Sequence, residues 1–365
     1  MSYKKIFSIF FITFIISAPF SAFAAYHFSD FKARPPIHIY GSKSAAPKGI
    51  SPDVIKKIYN LPSTGGHGTI AIIGAYDDKT IEADLGVFSK QYNLPACTTS
   101  NKCFEKHIMA SGTKTDSGWA METSLDIEWA HAIAPSAKIL LVVAKTPSGA
   151  NLLSAIDYAN KQSGVVAVSM SFGGAEFPEE TSLDSHFTST NGAVFFASSG
   201  DNGTGASWPA ASPNVVSVGG TSLTLSKSGT LISEKAWSGS GGGVSAYESQ
   251  PSYQKNYSIP KAGGMRSIPD VSYDADPVSG FSIYRSGGWY TVGGTSASAP
   301  QWAAIQSLGL SANNNNFYTD KSSAGNAAYF RDIKSGTNGD CGYYCTARTH
   351  YDYLTGLGSP LTASF

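Results

Sequence analysis

Ser296 lies in "TVGGTSASAPQW" (291–302), a turn of small residues running into a helical stretch. A serine hydroxyl there attacks a carbonyl only if a neighbouring base takes its proton. An imidazole is one source. His67, in "GGHGT" (65–69), runs straight into the apolar "TIAII", with the acidic pair Asp77 and Asp78 beyond it, which is the context of a turn residue. The other six histidines stand in no better setting, and His131 in "WAHAIAP" reads as a packed or surface residue. Carboxylates are the second source. "METSLDIEWAHAIAP" (121–135) has helical spacing, so Glu122 and Asp126, at i and i+4, stack on one face beside Leu125, Trp129 and Ile133. Two carboxyls under an apolar face cannot both ionise cheaply, so one holds or shares a proton. Asp201, in "FFASSGDNGTG", follows an apolar run at the start of a glycine-rich loop. The carboxyl ends of parallel strands are where such sheets bind ligands. Taken singly, each acid also fits an ordinary setting: a solvated helix face or a turn.

The elements that must position these groups follow from patterning. The runs 69–75, 137–144, 165–172, 193–199 and 215–220 are short, apolar and β-branched, and helical segments separate them. Strands buried on both faces between helices indicate a mostly parallel sheet in an α/β fold. A helix is expected from Ser51, a good N-cap, with Pro52 in its first turn. The segment 25–48 has no sustained period and reads as an extended arm, leaving 49–365 as a single large domain.

Composition narrows the function classes. The chain has 365 residues, 42% hydrophobic and only 14% charged, with 26 basic and 26 acidic side chains. No basic field exists to draw nucleic acid, and no polybasic run suits a membrane surface. Residues 1–24 read as a cleavable signal peptide: Lys4 and Lys5, the apolar 6–16, and small Ala22 and Ala24 before the cut. A secreted chain (extracellular or periplasmic), free of the membrane after cleavage, is expected. Four cysteines allow three pairings, and spacing favours the local bridges Cys97–Cys103 and Cys341–Cys345.

Together these pieces resemble the sedolisins, serine-carboxyl peptidases that share the subtilisin fold. The likeness spans about 50–360 and rests on "ETSLDIEWAHAIAP", "SSGDNG", "WPAASPNVVSVGGTSL" and "SIPDVSYDADPVSGFSIYRSGGWYTVGGTSASAP", in family order. It implies a subtilisin-like α/β fold and acid-pH cleavage of peptide or protein substrates through an acyl-enzyme. It implies Ser296 as nucleophile, Glu122 as general base, Asp126 as its orienting partner and Asp201 at the oxyanion. A carboxyl donates a hydrogen bond only when protonated, while Glu122 must be ionised to take the serine proton, so both conditions meet in acid. "FRDIKSG" and "HYDYLTGLGSP" resemble the family's calcium region. One structural Ca²⁺ is thereby implied, with Asp332 and Asp352 as side-chain ligands and Ile333, Arg348 and His350 as carbonyl ligands. The family has glycine at the positions of Arg348 and His350, where a positive φ would strain them.

Departures from the family pattern are also legible. Residues 25–48 are too short for the family's usual pro-domain, so no self-processing is expected. Phe172 stands where relatives often carry tryptophan, and "IIGAYDD" lacks a glutamate that some place after this strand. A monomer is expected. The alternatives are a Ser-His-Asp enzyme using His67 and a non-catalytic secreted binding module on the same scaffold.

Overall fold

The computed structural model describes residues 26–189, 191–319 and 329–361. The signal segment 1–24 lies outside them. Seven strands make one parallel array: Thr69–Ala75 (β2), Phe104–Ile108 (β3), Lys138–Ala144 (β4), Val165–Met170 (β5), Val194–Ser198 (β6), Val215–Leu225 (β7) and Val271–Asp274 (β11). Their order is β11-β7-β6-β5-β2-β4-β3, and Leu231–Ala236 (β8) adds antiparallel to β7. The non-sequential order is that of helical crossovers. Outside this sheet, His38–Ser44 (β1), Gly288–Gly293 (β13) and Phe281–Arg285 (β12) form an antiparallel ribbon in that order. Gly243–Ser249 (β9) pairs with Met265–Ile268 (β10), and Phe330–Arg331 (β14) with Ser359–Pro360 (β15).

The helices are Pro52–Ile58 (α1), Ile81–Gln91 (α2), Ser117–Ile133 (α3), Gly149–Asn160 (α4), Ser252–Tyr257 (α5), Thr295–Ser307 (α6) and Asn314–Phe317 (α7). Alternate side chains of β2 serve opposite faces of the sheet. Ile70 and Ile72 join the core built with α1, α2, α3 and α6, while Ala71 and Ile73 join a second core with α4. Both faces are therefore covered, as a parallel sheet requires.

The five expected strands form, each within two residues at its ends except β7, which continues to Leu225. Strands β3, β8 and β11 carry polar residues or lie too close to turns to stand out. Helix α3 starts a turn earlier than the spacing suggests, because Asp116 caps it by accepting from the N–H groups of Gly118 and Trp119, each at 3.0 Å. It is buried on every side from Trp119 to Ile133, so the face that carries Glu122 and Asp126 is buried as expected, and the other faces are buried as well. Ser51 sits at the N-cap of α1 without using its side chain, and Pro52 is the first helical residue. Both local disulfides form, Cys97–Cys103 and Cys341–Cys345.

Candidate active site

The site is assembled where α6 begins, beside the ends of β5 and β6. Gly294 precedes the helix with φ at 120°, a conformation that favours glycine, and any Cβ there would lie 2.6 Å from Asp201 Oδ2. Ser296 is the second residue of α6. Pro300, four residues on, has no N–H, so the Ser296 carbonyl has no donor inside the helix. Ser171, just past β5, takes that place with its Oγ 3.2 Å from the Ser296 oxygen.

Ser171 also explains how the acidic pair is held. Its Oγ lies 2.5 Å from Asp126 Oδ1. Ser171 thus links the two segments: its hydroxyl donates to Asp126 Oδ1 and also faces the Ser296 carbonyl. Burial, foremost, raises the proton affinity of Asp126 well above the usual carboxyl range. Burial and then the charge of Asp126 do the same for Glu122, while the Ser296 hydroxyl pulls the other way. Helix α3 presents both acids toward α6 with about 1% exposure each. Among the described residues, neither Glu122 oxygen nor Ser296 Oγ has a complete hydrogen bond. Such contacts commonly stay loose until substrate binds.

Asp201 reaches the same turn from the loop after β6. Its Oδ1 accepts from Thr295 N at 2.8 Å and from Thr295 Oγ1 at 2.7 Å. Thr295 Oγ1 in turn accepts from Gly200 N at 3.1 Å, which locks loop to helix. Oδ2 lies 3.0 Å from His38 Nε2. Burial raises the proton affinity of Asp201 despite these partners. All four acid and hydroxyl groups singled out in the sequence thus converge on one turn. His67 does not. It binds the far end of α6, its N–H donating to the Ser307 carbonyl at 2.9 Å, roughly 17 Å along the helix from Ser296. His131 is a packed residue whose Nε2 lies 2.8 Å from the Pro95 carbonyl.

Three participants escaped the sequence reading. Ser171 carries only a weak signal, a second serine in the alternating "SMSF". Thr295 reads as a small turn residue. His38 was grouped with histidines of no special setting, yet it reaches Asp201 because the arm crosses the site. Phe172, at the tryptophan position of relatives, is fully buried against Trp119 with ring centroids 6.2 Å apart. Asp77, after β2, is taken up by Lys106 at 2.8 Å.

The second implied site also comes together. The 348–352 loop folds over Asp332: His350 N donates to Asp332 Oδ2 at 3.1 Å, and Arg348 N donates to Asp352 Oδ2 at 3.0 Å. Asp332 Oδ1 is buried without a partner. Among the described residues, the carbonyls of Ile333, Arg348 and His350 accept no hydrogen bond from the chain. The left-handed backbone falls on His350 alone, at φ 67°; Arg348 has no positive φ.

The sequence profile of the subtilase family matches residues 51–333. Sedolisin of Pseudomonas sp. (strain 101) is 37% identical over 199 residues, 46% of this chain and 33% of that protein. Kumamolisin of Bacillus sp. (strain MN-32) is 32% identical over 372 aligned positions, 88% of this chain and 63% of that protein. The chain therefore spans between a third and just under two thirds of the length of these relatives. Among solved structures, Pseudomonas sedolisin, a serine-carboxyl proteinase complexed with two molecules of pseudo-iodotyrostatin, superposes with a TM-score of 0.74 at 28% identity. That match covers 86% of this chain and 96% of the other. With the profile spanning most of the sequence and the fold shared almost end to end, this chain belongs to the subtilase family, on its sedolisin branch.

Proposed function

We propose that the chain is a serine-carboxyl peptidase that hydrolyses peptide bonds in acid through an acyl-enzyme. The observation that carries this reading is the meeting of Glu122, Asp126 and Asp201 with Ser296 at the start of α6, with no imidazole on the serine hydroxyl. Glu122 accepts the Ser296 proton as Oγ adds to the carbonyl carbon, then passes it to the leaving amine. Asp126 holds the pair's one resident proton and, through Ser171, fixes the orientation. The oxyanion is held by protonated Asp201 and by the positive end of α6. Water then repeats the sequence to release the acyl group.

The direct test is a peptide library incubated with the purified full chain from pH 2 to 7, beside Ser296→Ala. Cleavage in acid is expected for the wild type, with a loss on the order of 10⁶-fold in the variant. No cleavage at any pH, or equal cleavage by both, removes the reading.

We also propose one structural Ca²⁺ at Asp332, Ile333, Arg348, His350 and Asp352. The donor set fits a hard cation: two carboxylates and three free carbonyls, one carboxylate oxygen being buried and unpartnered. The ion would tie the loop after β14 to the loop before β15. Export is the third element. It is supported by the two disulfides, which persist in oxidising compartments. No helix among the described residues is long and apolar enough to cross a membrane.

A further inference from the structure

The arm before β1 lies in the cleft where a peptide would have to lie. Its residues alternate, with Phe31 and Ala33 buried and Lys32 and Arg34 outward, as in a strand. It hydrogen-bonds on both edges. Ala33 N donates to the Pro147 carbonyl at 2.9 Å, and Gly149 N donates to the Phe31 carbonyl at 3.2 Å. On the other edge Arg34 N donates to the Gly173 carbonyl at 3.1 Å, and Gly173 N donates to the Arg34 carbonyl at 3.3 Å. Two residues on, the carbonyl oxygen of Pro36 crowds Gly294 at the point that Asp201 Oδ2 also touches. Two residues further, His38 pairs with Asp201. The arm is clamped on both sides of this crossing: Phe31 is fully buried against Phe177 and Trp208, and β1 pairs with β13. Ser296, which a substrate must reach, has 0% exposure.

We infer that residues 31–38 are a built-in pseudosubstrate that blocks the cleft, presenting the Pro36–Ile37 bond to Ser296 and latching on Asp201 through His38. This rests on the peptidase reading of the same site. Prolines at 35 and 36 make it a blocker rather than a substrate. They leave the two residues before that bond with no N–H for the enzyme to grip. Contacts that tighten only in the transition state are what drive cleavage, and here the groove holds the chain through Phe31, Ala33 and Arg34, upstream of the two residues before the bond. With Pro36→Ala the N–H of the residue directly before the bond is returned, while that of residue 35 stays absent. Ser296 Oγ adds to the carbonyl carbon of residue 36, its proton moves through Glu122 to the departing amine of Ile37, and water then frees residue 36 as the acid.

Three measurements on the full chain test this. In hydrogen exchange, the amides of Ala33, Arg34 and Gly173 should be protected by about 100-fold or more over a free peptide. Free-peptide rates at 33 and 34 overturn the proposal, whether or not the protein is a peptidase. In turnover of added peptides, Ala33→Pro/Arg34→Pro, and separately His38→Ala, should each raise kcat/KM by roughly tenfold, a loss of about 1.4 kcal/mol of arm binding. Variants with unchanged Tm and unchanged turnover overturn it. By intact mass in acid, Pro36→Ala should lose everything up to residue 36, while Pro36→Ala/Ser296→Ala and the wild type stay whole. A wild type cut there as fast as Pro36→Ala overturns it. If no form cleaves any peptide, the peptidase reading fails while the exchange result still decides the arm.

Discussion

Of the acidic clusters buried among the described residues, two have closely similar electrostatics, yet only one of these two meets a nucleophile. The first is Glu122 and Asp126 with Asp201. The second is Glu180 and Glu248 with Glu176 and Asp184, where the 3-10 turn 180–187 meets β9. Their electrostatics are alike. Burial is the leading cause that raises Glu180 to about 9 and Glu248 to about 8, with the neighbouring charges of Glu176 and Asp184 next. Burial also leads for Glu122, with Asp126 next. The direction of the shift alone does not separate the two groups. Their surroundings do. The second group faces Ser245 and Ser212, whose hydroxyls already donate to Glu176 and Asp184. The first faces a serine with an uncommitted hydroxyl at a helix start. Raised pKa values report burial; chemistry needs a reactive partner as well.

The sharpest way to break this contrast is to neutralise one acid in each group. Glu122→Gln removes the base and should lower kcat/KM by about 10²–10⁴-fold. Glu248→Gln should leave kcat/KM unchanged. Equal losses in both, measured on one peptide at the acid optimum, would mean the two groups are not distinct in function.

Asp201→Asn probes the difference between a proton that works and one that merely accompanies burial. In the proposed mechanism the active form carries one proton on the Glu122–Asp126 pair and one on Asp201. As pH falls, the pair gains its second proton and the base is lost, which gives the acid limb. As pH rises, Asp201 loses its proton and the donor is lost, which gives the alkaline limb. Because burial raises Asp201, that limb lies above the ordinary carboxyl value of 3.8. Asparagine donates at every pH, so the variant should lose the alkaline limb set by Asp201. Its peak rate should fall by less than the ~10²–10³-fold seen when an oxyanion donor is removed outright. A pH–rate profile checks this, and an unchanged alkaline limb would remove Asp201 from the mechanism.

Much of the fold and site was legible because buried parallel strands announce themselves as apolar runs, and because motif order carried Ser296, Glu122, Asp126 and Asp201 together. The contacts that make the site work were less so. Ser171 matters because it meets Asp126 and the Ser296 carbonyl, which Pro300 leaves without its usual donor, a relation between segments 45 and 125 residues apart. His38 matters only because the arm, which has no period in sequence, is held as a strand by edges at Pro147–Gly149 and Gly173. Spacing along one segment cannot encode a partner supplied by another. The helix pattern marked the face of Glu122 and Asp126 as buried but could not show that α3 is covered on its other sides too, by elements its own pattern does not mention.

Calcium offers a smaller effect, remote from both acidic groups. Chelation should lower Tm, since an ion at about 100 times its Kd contributes ~2.7 kcal/mol. Asp332→Asn should abolish the response of Tm to added Ca²⁺ while leaving peptide cleavage in acid intact. Thermal scans with and without chelator decide it, and a chelator-insensitive wild type would mean the loops close without an ion.

The smallest expected effect isolates the second acidic group as a stability element. In the unfolded chain Glu180 and Glu248 titrate near the ordinary 4.5, but in the fold they hold protons to about 9 and 8. Between these limits the folded chain binds more protons than the unfolded one, so stability falls as pH rises. The contribution is complete below about pH 4.5 and is lost as pH passes through about 8 to 9. Glutamine keeps the shape and cannot ionise. Glu180→Gln/Glu248→Gln should therefore raise Tm at pH 8.5 by roughly 2–4 °C and leave it unchanged at pH 4. A parallel shift at both pH values would assign the effect to packing instead. A Tm that rises between pH 5 and 9 in the wild type, and rises less steeply in the variant, would mean that these carboxyls are ionised in the fold and that the likeness between the two acidic groups does not hold.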